Sequence, residues 1–124
     1  MPITFALRIG YFFTIMYIYF CMKGKVMGKK GLFITFEGAD GSGKTTQAKM
    51  VAEFLEKNNI PYITTREPGG TELGVMIRKL VLDYHGEVAS RCESFLYLAD
   101  RAQNINTKVI PAVNEGKIVL CDRH

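Results

Sequence analysis

Gly38-Ala-Asp-Gly-Ser-Gly-Lys-Thr45 is the stretch on which the fold turns. It satisfies the spacing G-x-x-x-x-G-K-[ST] in full, and its neighbours are the ones that pattern needs. Before it, Leu32-Phe-Ile-Thr-Phe36 is a short apolar, β-rich run of the kind that forms a buried parallel strand. After it, Ala48, Val51, Ala52 and Leu55 recur at i, i+3, i+4 and i+7, which predicts a helix over residues 45–58 with one apolar stripe. Between such a strand and helix, glycines let successive backbone N–H groups turn inward around an anion. The helix start adds unpaired N–H groups and the positive end of its dipole. Gly38, Ala39, Asp40, Gly41, Ser42, Gly43, Lys44 and Thr45 are therefore read as a nucleotide-phosphate cradle. Lys44 is placed to bridge the β- and γ-phosphates, and the Thr45 hydroxyl to ligate Mg²⁺. A turn that only packs strand against helix accounts for the glycines but not for the Lys-Thr pair.

Working outward, Pro61 to Thr65 reads as a second short strand, and Arg66-Glu-Pro-Gly-Gly-Thr71 as the loop at its end. Leu73, Met76, Ile77, Leu80 and Val81 form the apolar stripe of a second helix, up to about Asp83. Ser90 and Glu93 have capping-box spacing for a third, running through Cys92, Phe95, Leu96, Ala99 and Ala102 and divided by Pro111 near Thr107. Lys117-Ile-Val-Leu-Cys121 reads as a buried strand that ends in Asp122-Arg-His124. Strands alternating with helices imply an α/β fold, a parallel sheet with flanking helices joined by right-handed crossovers. Ligands gather at the carboxyl ends of such strands, where residues 37–46, 66–71 and 122–124 fall.

Five further side chains stand out. Asp122 follows an apolar strand, the pattern of a carboxylate that holds Mg²⁺ or its waters beside the phosphate loop. Arg123 is its neighbour in sequence, where a cation would neutralise a transferring phosphate. Arg78 falls off the stripe of its helix and is free to point toward the ligand end. Tyr97 and Arg101 are four residues apart, so a ring and a guanidinium share one helix face, suited to a planar ligand that also accepts hydrogen bonds. An ordinary solvated Arg78, and a core-edge Tyr97 beside a surface Arg101, are the plainer alternatives.

Composition excludes several classes. The chain has 124 residues, 48% hydrophobic and 23% charged, enough for one core, which rules out intrinsic disorder and collagen. Its net charge of +4 is misleading, because residues 27–124 hold 13 Lys+Arg against 12 Asp+Glu. Without a concentrated basic face there is no compositional case for nucleic acid as a partner. Three cysteines with no CxxC pair indicate neither a disulfide framework nor a zinc site, and fit a reduced, cytoplasmic protein.

Residues 1–26 form a hydrophobic leader set apart from the domain at 27–124. Its uncharged stretch, Ile9 to Met22, has 14 residues, where a spanning helix needs about 20, so a membrane is not expected as a partner. Translation starting at Met22 or Met27, a membrane-associated leader and an extra packed segment remain open readings.

Phe36-Glu-Gly-Ala-Asp-Gly-Ser-Gly-Lys-Thr-Thr-Gln47, Thr65-Arg-Glu-Pro-Gly-Gly-Thr71, Ile77-Arg78, Leu98-Ala-Asp-Arg-Ala-Gln103 and Asp122-Arg-His124 together resemble the bacterial type of thymidylate kinase, in the family's order and spacing over about residues 31–124. The resemblance implies a P-loop NTPase-type fold that transfers the γ-phosphoryl of ATP to dTMP with Mg²⁺. It implies that Asp40 faces the acceptor's sugar hydroxyl, that Arg78 contacts the acceptor phosphate, and that Tyr97 stacks on thymine. Arg101 would reach base or phosphate, Glu67 would lie near the acceptor, and Asp122 and Arg123 beside the phosphates. Two departures accompany it. Asn104 stands where many relatives have His, and the chain stops at His124 where family members continue with further strands, the rest of the acceptor pocket and a lid. Ser42 belongs to the variant whose basic groups come from that lid.

Residues 27–124 are thus expected to be the N-terminal part of the kinase domain, truncated, with an open apolar edge beside strand 32–36 and little turnover of their own. Homodimers are common in the family. Another small P-loop nucleoside or nucleotide kinase, a GTPase-like switch and a non-catalytic fragment are the competing readings, the switch disfavoured by the missing N/T-K-x-D motif.

Overall fold

The computed structural model describes residues 31–123 together with two upstream strands, β1 (Thr4–Leu7) and β2 (Ile15–Tyr19). His124 and the candidate start sites Met22 and Met27 lie outside the described residues. Strand β3 (Leu32–Glu37), helix α1 (Lys44–Lys57), strand β4 (Tyr62–Glu67), helix α2 (Glu72–Leu82), helix α3 (Ser90–Asn104), a π-helical turn (Ile105–Val109), helix α4 (Ile110–Asn114) and strand β5 (Ile118–Arg123) follow in order.

The sheet order is β1-β2-β3-β5-β4, and β5 pairs in parallel with β3 on one side and β4 on the other. This is the anticipated parallel α/β sheet. Side chains alternate across it, so each face gathers its own core. Ile34, Phe36 and Leu120 meet Leu55 of α1, with Ala48, Val51 and Ala52 packed alongside. On the other face Phe33, Val119 and Cys121 meet Val109 and Ala112.

Several local expectations are corrected. The loop after β4 is shorter than the glycines and proline suggested, because Arg66 and Glu67 pair with Asp122 and Arg123 and stay in the sheet. The Ser90–Glu93 capping box does not form: Ala89 is the N-cap, and its carbonyl accepts from the N–H of Glu93. Pro111 does mark a division of the helix, as an early residue of α4 after the π turn.

The stripe predicted for α2 is mostly outside. Ile77 is buried, whereas Leu73, Met76 and Leu80 are 48–62% exposed. On α3, Phe95 and Leu98 also face solvent, and the buried positions are the polar Asp100 and Asn104.

The open edge expected beside β3 is also corrected. Strand β2 pairs with β3 antiparallel, Ile15 opposite Glu37 through Tyr19 opposite Phe33, and β1 pairs with β2. An unpaired strand is a template for any extended segment, and here the upstream hairpin fills it. Both strands fall within residues 1–26. Among the described residues no helix is long and apolar enough to cross a membrane.

Candidate active site

The phosphate loop takes its shape from glycine backbone. Gly41 and Gly43 sit at φ 77° and 86°, a region costly for residues with a Cβ, and Gly43 is the N-cap of α1. That helix start has no side-chain cap and no acidic residue in its first turn. Its leading N–H groups, which have no partner within a helix, are left for an anion. Lys44 is buried and folds back across the loop, its Nζ donating to Gly38 O at 3.0 Å and to Asp40 Oδ1 at 3.3 Å. The amine is held beside the cradle rather than out in solvent.

Thr45 follows at the opening of α1, and its hydroxyl donates to Asp122 Oδ2 at 2.8 Å across 77 residues of sequence. Asp122 Oδ1 is buried with no hydrogen-bond partner. A hydroxyl that gives its proton to a carboxylate keeps its lone pairs available, so Thr45 and Asp122 together form a hard oxygen pair suited to Mg²⁺. Among the described residues no group of three or more His, Cys, Asp or Glu could hold a metal ion. A groove of about 560 Å³ starts at this pair and runs along α1 past Lys49 to Arg66 and Lys108.

On the other face of the sheet the centre is Glu67, 4% exposed. Its Oε2 accepts from Arg101 Nε at 2.9 Å and Arg123 Nε at 3.0 Å, and its Oε1 from Asn104 Nδ2 at 3.1 Å. Arg123 also donates to Glu37 Oε1 at 2.6 Å. Burial opposes the charge of Arg123, but Glu67 and Glu37 outweigh it and raise its pKa. Sequence adjacency to Asp122 therefore does not become spatial adjacency: alternation along β5 sends Asp122 toward α1 and Arg123 toward α3. Arg78 Nη1 donates to Pro68 O at 2.9 Å, after the cis bond Glu67–Pro68. Tyr97 is half-buried on α3, one turn before Arg101. The Arg101 side chain remains 43% exposed, and its Nη atoms have no partner among the described residues.

Three contributors were not singled out from the sequence as site residues: Glu37, Asp100 and Lys108. Asp100 Oδ1 accepts from the Gly69 N–H at 2.9 Å, and Lys108 Nζ donates to Gly70 O at 2.6 Å. Desolvation raises the Asp100 pKa; the Gly69 N–H works against it and Glu67 adds to it. The four-residue repeat Asp100, Asn104, Lys108 was the available signal. Cys121, at the centre of this face, is fully buried, and that burial pushes its thiol up to about 12, so it behaves as a small apolar residue. Cys92 and Cys121 are both free.

The family model for thymidylate kinase matches residues 36–124. The chain belongs to the thymidylate kinase family. It is 52% identical over 95 residues to a thymidylate kinase of Cutibacterium acnes, covering 76% of this chain and 47% of that protein. It is 53% identical to one from Pelotomaculum thermopropionicum, covering 76% and 44%. The chain thus spans about half the length of the thymidylate kinases it matches. A crystal structure of thymidylate kinase from Ehrlichia chaffeensis superposes with a TM-score of 0.68 at 41% identity, covering 77% of this chain and 54% of that one. The P-loop NTPase fold read from Gly38–Thr45 is the fold of that thymidylate kinase.

Proposed function

We propose that this site transfers the γ-phosphoryl group of ATP to dTMP, giving ADP and dTDP, with Mg²⁺ at Thr45 and Asp122. The observation that carries the reading is β5, whose last two residues serve both halves of such a reaction: Asp122 joins Thr45 on the α1 face, and Arg123 joins Glu67 on the α3 face. Two anions must be brought in line and their repulsion neutralised, which is nearly all that phosphoryl transfer asks of a protein.

In this reading the triphosphate draws the Lys44 amine off Gly38 O and Asp40 and onto its β- and γ-oxygens. The loop amides and the start of α1 take the remaining oxygens. Mg²⁺ supplies charge neutralisation between the phosphates. The acceptor's phosphate oxygen attacks the γ-phosphorus as the bond to the β-phosphate oxygen breaks, and the charge that develops is met by cations. Arg101, with free Nη atoms, and Arg78, beside Pro68, hold the acceptor phosphate, while Tyr97 stacks on its base. Asp40 faces the sugar hydroxyl. Arg123 acts through Glu37 and Glu67, which fix where the acceptor side sits relative to β5.

The exposed apolar faces of α2 and α3, with Met76, Leu80, Phe95 and Leu98, support pairing with a second copy as a homodimer. Free cysteines support a cytoplasmic location.

Calorimetric titration of the 124-residue chain with dTMP, dCMP, AMP and thymidine is the direct test. A clear preference for dTMP is the expected result; equal or better binding of another acceptor transfers the assignment to a different small P-loop kinase. A coupled ADP-release assay with dTMP as acceptor tests the transfer step itself, against the ~1–100 per second usual for kinases.

A further inference from the structure

Asp100, Asn104 and Lys108 all reach back to one short stretch, residues 65–70. Asp100 accepts the Gly69 N–H, Asn104 accepts from Thr65 Oγ1 at 2.7 Å and donates to Glu67, and Lys108 donates to Gly70 O. Asp100 and Asn104 are 1% and 0% exposed. The amide orientation of Asn104 is fixed by chemistry, since a carboxylate oxygen can only accept and the Nδ2 group must therefore face Glu67.

Helix geometry brings the third member into line. Steps of four residues overshoot a turn of 3.6 by about 40°, so Lys108 on a regular helix would stand about 80° from Asp100. The π turn at Ile105–Val109 holds one more residue per turn and takes back much of that drift. The helix also buries these polar groups while turning Phe95 and Leu98 outward. Packing alone favours the reverse arrangement, because a buried polar side chain carries a desolvation cost that an apolar one does not. The Asn104 side chain lies tight against the loop: a Cβ on Gly70 would collide with Thr65 Oγ1 and crowd Asn104 Oδ1 at 2.8 Å.

We propose that Asp100, Asn104 and Lys108 are positioning residues that hold segment 65–70 as one wall of the acceptor subsite, and that Asn104 does so by orienting the Glu67 carboxylate, which in turn aims Arg101. The identity of the acceptor rests on the function proposed above; the hold on segment 65–70 does not. None of the three needs to touch substrate. Glu67 is the intermediary, with one oxygen on Asn104 and the other shared between Arg101 and Arg123.

Asn104→Leu in the 124-residue chain removes both hydrogen bonds at similar size, and Asn104→His restores a ring N–H donor for Glu67. Binding of dTMP and of a non-hydrolysable Mg-ATP analogue is measured by calorimetry, and hydrogen exchange of the amides of residues 66–71 by NMR. The expected result for Asn104→Leu is dTMP binding weakened about tenfold, analogue binding changed less than about twofold, and exchange at Gly69 and Gly70 about tenfold faster, with Asn104→His recovering most of each. Loss of both ligands in proportion, or no change in exchange, overturns the proposal. If the unaltered chain binds no dTMP, the acceptor assignment falls while the exchange rates still decide whether Asn104 holds the segment. Should Asn104→Leu fail to fold, Lys108→Met at its half-buried position takes its place: faster exchange at residues 70–71 supports the hold, and unchanged exchange overturns it.

Discussion

On the α1 face, Lys44 lies across a glycine loop whose helix start has no side-chain cap, and Asp122 meets Thr45 through a single hydrogen bond. On the α3 face, Glu67 alone accepts from three side chains, and Asp100, Asn104 and Lys108 fasten the segment around it. One face keeps its donors open for a ligand and the other has already spent most of them internally. On the function proposed above, the difference follows from what each would hold. A triphosphate brings its own charges and a metal, so amides and one amine suffice. A flat base with a monophosphate needs side chains set at fixed positions, and those need supports.

The contrast predicts that removing the central acid of the α3 face damages stability and that removing the loop amine of the α1 face damages binding. Glu67→Ala should give the largest effect. It leaves Arg123, whose side chain is 12% exposed, with Glu37 as its one remaining carboxylate, and should lower unfolding stability by about 3–5 kcal/mol in thermal or urea denaturation. A loss under about 1 kcal/mol would mean that the network is decorative.

Lys44→Ala should be smaller in total and opposite in kind. It should weaken binding of a Mg-ATP analogue on the order of a hundredfold, about 2.7 kcal/mol, with dTMP affinity nearly unchanged in the same calorimeter. Equal loss of both ligands would erase the distinction between the faces.

Asp100→Asn sharpens the comparison with the smallest change. Burial raises the folded-state pKa of Asp100 above 3.8, with the Gly69 N–H, Arg101 and Arg78 pulling the other way and Glu67 adding to the rise. Below pH 3.8 the group is protonated whether folded or not and contributes no penalty. As pH climbs from there through the folded pKa, the buried charge costs stability, and that cost is fully present above it. The variant keeps an oxygen for Gly69 and has no such charge. Its Tm should gain on that of the unaltered chain between pH 4 and pH 7, and a constant difference would refute the sign.

The phosphate loop, the parallel sheet and the division of the third helix were legible in the sequence because each has a local cause: glycine spacing, apolar runs between breakers, a proline. The α3 face was not, since Asp100 and Asn104 are buried only because β4 and its following loop lie against them more than thirty residues away in sequence. Position 104 stood out as an Asn where His is common, but nothing local said that Glu67 and Thr65 would receive it. The extent of β4 was hidden for the same reason: Arg66 and Glu67 continue the strand because Asp122 and Arg123 pair with them. The apolar upstream residues declared an unusual segment, and strand pairing with β3 could not be read from them alone.

β5 is the frame both faces share, and its register carries a consequence. A slip of one residue along β3 and β4 would exchange the two faces' furniture, turning the Asp122 carboxylate among Glu37 and Glu67 and the Arg123 guanidinium onto Thr45. Like charges would crowd one side and a cation would sit where a cation is to be held. The alternation of an acid and a base at the tip of a single strand is thus a lock against misalignment as well as a division of labour.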